Sequence, residues 1–319
     1  MSPLVRAIFP IIAFLVIGYI ARLTKKFDPK NSGILINWVL NVSIPCMIII
    51  DMTSQDMLSE YRKYVEFFGG YLLTSFILFC LAYSYGRLIK RKDLLIGSYF
   101  AGAAVYSNTC MIALPVLAIL LPVSGATYGV LGVVVLIIGL QTTSVIYEYC
   151  TSRGQGMSLR KVLSSFAHAM KANYFIAMVI GLILSFADIK LAMPIKASLN
   201  AIGITTAPVA LFAIGAQLNF GLFRHHARIV AECTFFKLFL MPVVAWYICD
   251  LVNLPPAPSV AVVVCAAVST AKCQYAVARS HDVYVEETEA AVAGTTILSV
   301  VTLPVVVSLL TRHFVGVIS

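Results

Sequence analysis

Three adjacent polar residues, Ser107, Asn108 and Thr109, interrupt an apolar part of the chain and are followed by Pro115. Proline removes a backbone donor from a helix, and hydroxyl and amide side chains compete for the backbone hydrogen bonds around them. We therefore predict a helix that is broken here, with free N–H groups at the start of its second half. Such N–H groups, together with the Asn108 amide, suit an anion such as a carboxylate. The alternative is that the three residues only hydrogen-bond to neighbouring helices.

A second polar cluster lies late in the chain and contains a lysine. Its members are Ser269, Thr270, Lys272, Cys273 and Gln274. A charged side chain in the middle of a membrane costs about 2.5 to 3.5 kcal/mol on insertion scales, so it indicates a function. Three roles are open for Lys272: it binds a substrate carboxylate, it occupies the place of a cation, or it is neutral. We predict that Thr270, Lys272, Cys273 and Gln274 contact substrate together with the first cluster.

Three further polar residues lie in or beside apolar runs. Gln141 either supports the site or joins helices, and the sequence does not decide between the two. Arg279 can guide anions, but its position at the end of an apolar run favours an anchor at the membrane surface. Lys237 lies only about two turns into its run, so we predict a structural lysine whose ammonium reaches the interface.

The composition is that of an integral membrane protein. Of 319 residues, 60% are hydrophobic and 12% are charged, and the mean hydropathy is +0.93. A soluble domain carries about a quarter of its residues charged, so little of this chain can lie outside the membrane. The net charge of +9 is dispersed over loops, which argues against nucleic-acid binding. The eight cysteines lack metal or redox spacing, so we predict neither a metal nor a cofactor.

Apolar runs long enough to cross a bilayer predict an all-α polytopic protein of about ten spans. Their approximate positions are 4–21, 34–51, 65–85, 95–121, 128–147, 174–187, 197–218, 229–249, 258–278 and 290–310. Lys and Arg are concentrated in the loops after the first, third and fifth spans. Because positively charged loops stay in the cytoplasm, both termini are predicted to face outward from the plasma or inner membrane.

The spans divide into two halves, 1–150 and 173–319, joined by a polar cytoplasmic linker, 151–172, that has the pattern of an amphipathic helix. An odd number of spans in each half makes the halves inverted relative to each other, as in many secondary transporters. Polar residues and a proline recur at corresponding places, at Pro45 and Pro208, and polar clusters recur near Ser107 and Ser269. We predict helix breaks or gates at Pro45, Pro115, Pro208 and Ser269.

At these residues the chain resembles the auxin efflux carrier family, whose members include plant auxin exporters and bacterial carriers of malonate and malate. The likeness covers essentially the whole length. It rests on Asn41 to Met47, Ser107 to Thr109 with Leu114-Pro115, Leu140-Gln141, Ala207 to Leu211 with Gly215, Lys237-Leu238, Met241-Pro242, Ala276 to Arg279, and Leu303-Pro304. The resemblance implies two inverted five-helix repeats whose fourth and ninth helices cross at the substrate site. It also implies a mobile bundle that slides against a scaffold, and a homodimer formed through that scaffold.

The chain departs from the family pattern in the second cluster. Ser269 stands where many members have proline, and Cys273 stands where bacterial members often have asparagine. Lys272 lies beside them, so we expect it to set substrate preference.

The sequence therefore predicts a secondary transporter of a small organic acid, most simply a dicarboxylate such as malate or malonate, with auxin-like monocarboxylates as an alternative. No acidic residue lies in the middle of a predicted span, so we expect sodium-independent transport, with proton coupling left open. A transporter-like receptor for an organic acid is the alternative function. An enzyme is not predicted, because the histidines all lie in loops or near span ends and no nucleophile has a base.

Overall fold

The computed structural model describes residues 3–54, 57–151, 171, 173–218, 226–314 and 316–318. Within these ranges the chain is helical and forms no strand, apart from one isolated β-bridge. All-α architecture is therefore confirmed. Nearly all of the predicted linker, 151–172, lies outside the described residues, so its amphipathic helix stays a prediction.

Fifteen α-helices lie within the described residues. In chain order they are α1 (Pro3–Leu23), α2 (Ser32–Trp38), α3 (Ile44–Thr53), α4 (Met57–Ser84), α5 (Leu94–Val105), α6 (Leu114–Leu120), α7 (Gly125–Thr151), α8 (Asn173–Phe186), α9 (Met193–Gly203), α10 (Thr206–Gln217), α11 (Ala227–Thr234), α12 (Met241–Leu251), α13 (Pro256–Ala267), α14 (Lys272–His281) and α15 (Val285–His313).

Wide, π-type turns join or extend several of these helices. In the described chain they are Val39–Ser43, Tyr85–Ile89, Thr109–Ala113 and Phe235–Leu240. Three of them end two residues before a proline, at Pro45, Pro115 and Pro242. Proline lacks a donor and its ring clashes with the carbonyl four residues earlier, so the preceding turn widens. The helix continues through both Pro45 and Pro115, so neither proline stops it, and the alternative role predicted for them, as gates, stays a prediction.

Six continuous helical stretches are long and apolar enough to cross a membrane, within the residues described. They are Pro29–Thr53, Glu60–Ile89, Gly125–Thr151, Met193–Gln217, Ala227–Leu251 and Val285–His313. Shorter apolar helices occupy the other predicted spans, and they are Phe9–Leu23, Leu94–Val105, Thr109–Leu120, Asn173–Phe186 and Pro256–Ala267. Two predicted spans, 95–121 and 258–278, are each divided into two short helices, so the breaks within them are confirmed.

Close helix packing holds α1 against α10. A Cβ added at Gly18 would overlap the carbonyl of Phe212, and one at Gly215 would overlap the carbonyl of Leu15. Small residues permit such approach between membrane helices, where packing rather than hydrophobicity drives association. Helix α3 packs on α8 and α9 in the same way, with Gly203 against the backbone of Met47. We call α1 to α3 and α8 to α10 the first helix group.

The remaining helices form a second group around the two broken ones. Helix α4 packs on α5, α7, α12 and α13, and α11 packs on α15. Their interface contains rings such as Phe67, Tyr71, Tyr128 and Phe100, all almost fully buried. This second group holds both breaks and therefore positions the polar clusters.

Candidate functional site

The first break is a tight backbone turn after α5. Asn108 has φ −74° and ψ 63°, and the Thr109 N–H donates to the Ser107 carbonyl at 2.8 Å, which is an inverse γ-turn. The Asn108 carbonyl then accepts from the N–H groups of Ile112 and Ala113, at 3.1 and 3.3 Å, where the next helix begins. The polar residues themselves, rather than Pro115, are the point at which the helix stops.

The second break lies directly against the first. Ser107 pairs with Thr270 in an isolated antiparallel bridge. The Asn108 N–H donates to the Ser269 carbonyl and the Ala271 N–H donates to the Tyr106 carbonyl, both at 2.8 Å. Unwound backbone must be satisfied inside a membrane protein, and here each break satisfies the other. We call this arrangement the helix crossing.

Hydroxyl groups of the second cluster support the crossing. Thr270 Oγ1 donates to the Ala103 carbonyl in the last turn of α5 at 2.7 Å, and the Thr270 N–H donates to Thr295 Oγ1 at 3.1 Å. Thr296 Oγ1 donates to Ser269 Oγ at 3.2 Å. In this structure the side chains of Thr270 and Ser269 are engaged within the protein, and their predicted roles in substrate contact and gating stay predictions.

Five buried polar atoms at the crossing have no hydrogen-bond partner among the described residues. They are Ser107 Oγ, Asn108 Nδ2, Thr109 Oγ1 and both amide atoms of Gln274. Ser107 Oγ lies close to the Tyr71 hydroxyl but makes no well-formed hydrogen bond. A buried polar group without a partner costs about 1 to 3 kcal/mol, so a group of them calls for a ligand or water.

Glycine makes room for the Gln274 amide. A Cβ at Gly102 would lie 2.6 Å from Gln274 Nε2 and 3.0 Å from the Tyr106 ring. The amide is thereby seated against α5, just before the first break. The Tyr106 hydroxyl shares a hydrogen bond of 3.0 Å with Thr143 on α7, which fixes the ring beside it.

A family model described as membrane transport protein matches residues 3–307, which is nearly the whole chain. The chain belongs to the auxin efflux carrier family of membrane transport proteins. A search of curated proteins found no significant match. The apolar helices and the family together show that this auxin efflux carrier family member is a multi-pass integral membrane protein.

In this family member Lys272 lies at the edge of the crossing. It begins α14, is half-buried, and its Nζ donates to Gln217 Oε1 at the end of α10. Lys272, Gln217, Tyr275 and Glu289 line a cavity of about 200 Å³ between α10, α14 and α15. Lys272 forms no ion pair with Glu289 in the described part of the chain, so a neutral amide is its hydrogen-bond partner.

Lys237 lies elsewhere than predicted. Its side chain is fully buried, and Nζ donates to the Ala266 carbonyl at 2.5 Å instead of reaching the interface. The prediction that its ammonium reaches the interface was wrong, because the distance from a span end, counted along the sequence, does not show which neighbouring helix covers the side chain.

The other predicted residues lie around the crossing. Gln141 is half-buried on α7, and Arg279 is exposed and donates to the Tyr275 hydroxyl at 3.1 Å. Cys273 is exposed in the first turn of α14. Pro208 lies in the first turn of α10, just after the turn that ends α9. No hydrogen bond joins Gln141 or Arg279 to Asn108 among the described residues.

Sequence reasoning missed two further features. Gln217, the partner of Lys272, is a single amide at the end of an apolar helix, and a search for polar residues at helix ends would have found it. Asp51, at the end of the predicted span 34–51, is buried and accepts from the Thr127 N–H and Oγ1 at 2.7 and 2.6 Å. It also lines a cavity of about 500 Å³ between α3, α6, α7 and α9.

Proposed function

We propose that this protein is a secondary active transporter of a small organic anion, most simply a dicarboxylate such as malate or malonate. The observation that carries the proposal is the set of unpartnered polar atoms on Asn108, Thr109 and Gln274 at the crossing. Amide and hydroxyl donors can bind a carboxylate without a permanent charge. A bound carboxylate would supply acceptors for Asn108 Nδ2, Gln274 Nε2 and the Thr109 hydroxyl.

The local electrostatics favour an anion. The helical segments after each break begin at the crossing, and the N-terminus of a helix carries partial positive charge. Lys272 adds a full charge at the start of α14, and its partner Gln217 does not neutralise it. A dicarboxylate would place one carboxylate on the amides and the other toward Lys272. A carboxylate that binds Lys272 would have to compete with Gln217 for its ammonium.

Two cavities support alternating access. The larger one touches α9 and the start of α10 through Asn200 and Ala207, and the smaller one touches the end of α10 through Gln217. These positions are separated by about 15 to 25 Å along one helical stretch, at 1.5 Å per residue. Both cavities lie between the first and second helix groups. We infer that the second group carries the crossing past the first group in an elevator motion.

Contacts between corresponding motifs support the inverted-repeat fold. Ser43, which precedes Pro45, shares hydrogen bonds of 2.9 and 2.6 Å with Thr205 and Thr206, which precede Pro208. Ser107 pairs with Thr270 through the backbone, in the isolated antiparallel bridge. Corresponding motifs of two inverted repeats can meet in this way where they lie beside a two-fold axis in the membrane plane. We also retain ten spans, both termini outside, and a homodimer through the first helix group as parts of the proposal.

The test is flux of radiolabelled malonate, malate and an auxin-like acid into liposomes that contain the purified protein. We expect saturable uptake of at least one acid in sodium-free buffer, and its loss in Asn108→Ala. Asn173→Ala is the matched control, since the Asn173 amide is exposed and bonds Asn41 away from the crossing. Ligand binding without flux would instead favour a receptor. Uptake that stops when sodium is removed would refute sodium independence.

A further inference from the structure

Lys237 places its side-chain amino group in the interior of the second helix group. The side chain is completely buried within the wide turn Phe235–Leu240. Its ammonium contacts the Ala266 carbonyl at 2.5 Å and Met241 Sδ at 3.2 Å. Wide π-type turns inside helices occur frequently at functional sites.

The acceptor of Lys237 belongs to a half-helix that ends at the crossing. Ala266 is the penultimate residue of α13, three positions before Ser269, whose carbonyl pairs with Asn108. The last carbonyls of a helix lack intrahelical partners and form the negative end of its dipole. The ammonium therefore lies at the negative end of one of the two helices that are broken at the proposed substrate site.

The two broken helices are capped differently at this point. The end of α5 is capped by a neutral group, because Thr270 Oγ1 donates to the Ala103 carbonyl. The end of α13 is capped by a cation. The neighbouring Cys265 carbonyl receives only a long contact, 3.5 Å, from the Tyr71 hydroxyl. The Lys237 amino group thus lies among backbone carbonyls at the end of α13.

No carboxylate lies within 4.0 Å of Lys237 in the described part of the chain. Burying an unpaired charge is costly, and a methionine of similar volume would fill the same space without that cost. Packing alone therefore does not explain a lysine here. In secondary carriers, the C-terminal ends of half-helices and unwound carbonyls are where coupling cations bind.

We propose that the Lys237 ammonium is a built-in cation that occupies, at the end of α13, the position a coupling cation would otherwise fill. This inference rests on the proposed transport function. It assigns to Lys237 the cation-replacing role that was one of three left open for Lys272, whose ammonium contacts a side-chain amide near a cavity. Since the cation is covalently attached, it holds the crossing together in every state and transport needs no sodium.

The test is cation rescue of Lys237→Ala, which leaves both a void and an uncapped carbonyl. The thermal stability of the purified variant is measured in N-methylglucamine buffer with added sodium, lithium or ethylammonium chloride. We expect a lower Tm than wild type and at least partial recovery with one of these small cations, but no effect of any of them on wild type. Lys237→Met is the matched control: it fills the void, so cations should not rescue it.

Two further measurements distinguish the proposed role of Lys237 from a purely structural one. If uptake occurs, Lys237→Ala should lose about tenfold or more in rate, the equivalent of one buried unpaired carbonyl, and the rescuing cation should restore it. Uptake by the Lys237→Arg variant should remain independent of sodium. Lys237→Ala indifferent to every cation, or Lys237→Met stabilised by the cations to the same degree as Lys237→Ala, would overturn the inference. The Tm assay needs no substrate, so absence of flux in all proteins would refute the proposed function without affecting this result.

Discussion

At the scale of single residues, the site consists of groups that lack partners rather than of strongly bonded ones. Asn108, Thr109 and Gln274 keep polar atoms buried and unbonded, whereas the Thr270 hydroxyl donates to a backbone carbonyl and the Ser269 hydroxyl accepts from Thr296. Such unsatisfied groups cost stability, and natural proteins retain them where function requires it.

Replacing Gln274 by methionine tests this distinction. The variant should be as stable as wild type or more stable, by up to about 1 to 3 kcal/mol, because two unpaired polar atoms are removed from a buried site. Carboxylate binding should be lost. The measurement is Tm with and without ligand. Gln217→Met is the control: it also replaces an amide by methionine, but this amide is hydrogen-bonded to Lys272. A destabilised Gln274→Met that still binds would show that the amide is structural.

Part of this residue-scale picture could be predicted from the sequence. Ser107, Asn108 and Thr109 compete locally with the helix, and local competition is visible in a sequence. The break at 106–108 follows from it. The contact of Lys237 with Ala266 and that of Lys272 with Gln217 join residues far apart in the chain, so they depend on how the helices pack. Sequence position alone could not show them.

At the scale of helices, prolines and glycines act in different ways. Pro45, Pro115 and Pro242 each follow a wide turn and leave the helix continuous. Gly18 and Gly215 bring α1 and α10 close enough for backbone contact. A sequence shows that proline disturbs a helix, but whether the helix stops or widens depends on whether neighbouring groups can satisfy the freed carbonyls.

Gly18→Ala should separate α1 from α10. The added Cβ would overlap the Phe212 carbonyl, so we expect a loss of about 1 to 3 kcal/mol, typical of overpacking, and a lower Tm. Gly69→Ala is the matched control, because no atom lies within 4 Å of a Cβ there. That change should be neutral or slightly stabilising, since alanine favours helix over glycine by about 1 kcal/mol. Equal Tm values for the two variants would mean that the helices tolerate separation.

At the scale of the whole molecule, the two helix groups meet at the crossing and at the two cavities. Asp51 on α3 accepts hydrogen bonds from Thr127 on α7, and Lys272 on α14 donates to Gln217 on α10. Each contact joins the two groups beside a different cavity. An elevator motion would have to break both.

Cysteine accessibility tests that motion. Single cysteines at Asn200 and Gln217 report on the larger and the smaller cavity, in a background where the exposed Cys80, Cys150 and Cys273 are serine. Substrate should change the two labelling rates in opposite directions. The background protein without a new cysteine supplies the baseline. Parallel changes at both positions would contradict alternating access between these groups.

The most direct measurement is thermal stabilisation of the detergent-purified protein by a panel of mono- and dicarboxylates in sodium-free buffer, beside Asn108→Ala and Lys272→Ala. An acid present at a hundred times its dissociation constant should stabilise the wild type by about 2.7 kcal/mol. The account predicts that a dicarboxylate stabilises the wild type, that Asn108→Ala abolishes the effect, and that Lys272→Ala weakens it toward the level of a monocarboxylate. An acid that stabilises the wild type and Asn108→Ala equally would contradict the placement of the anion site at the crossing.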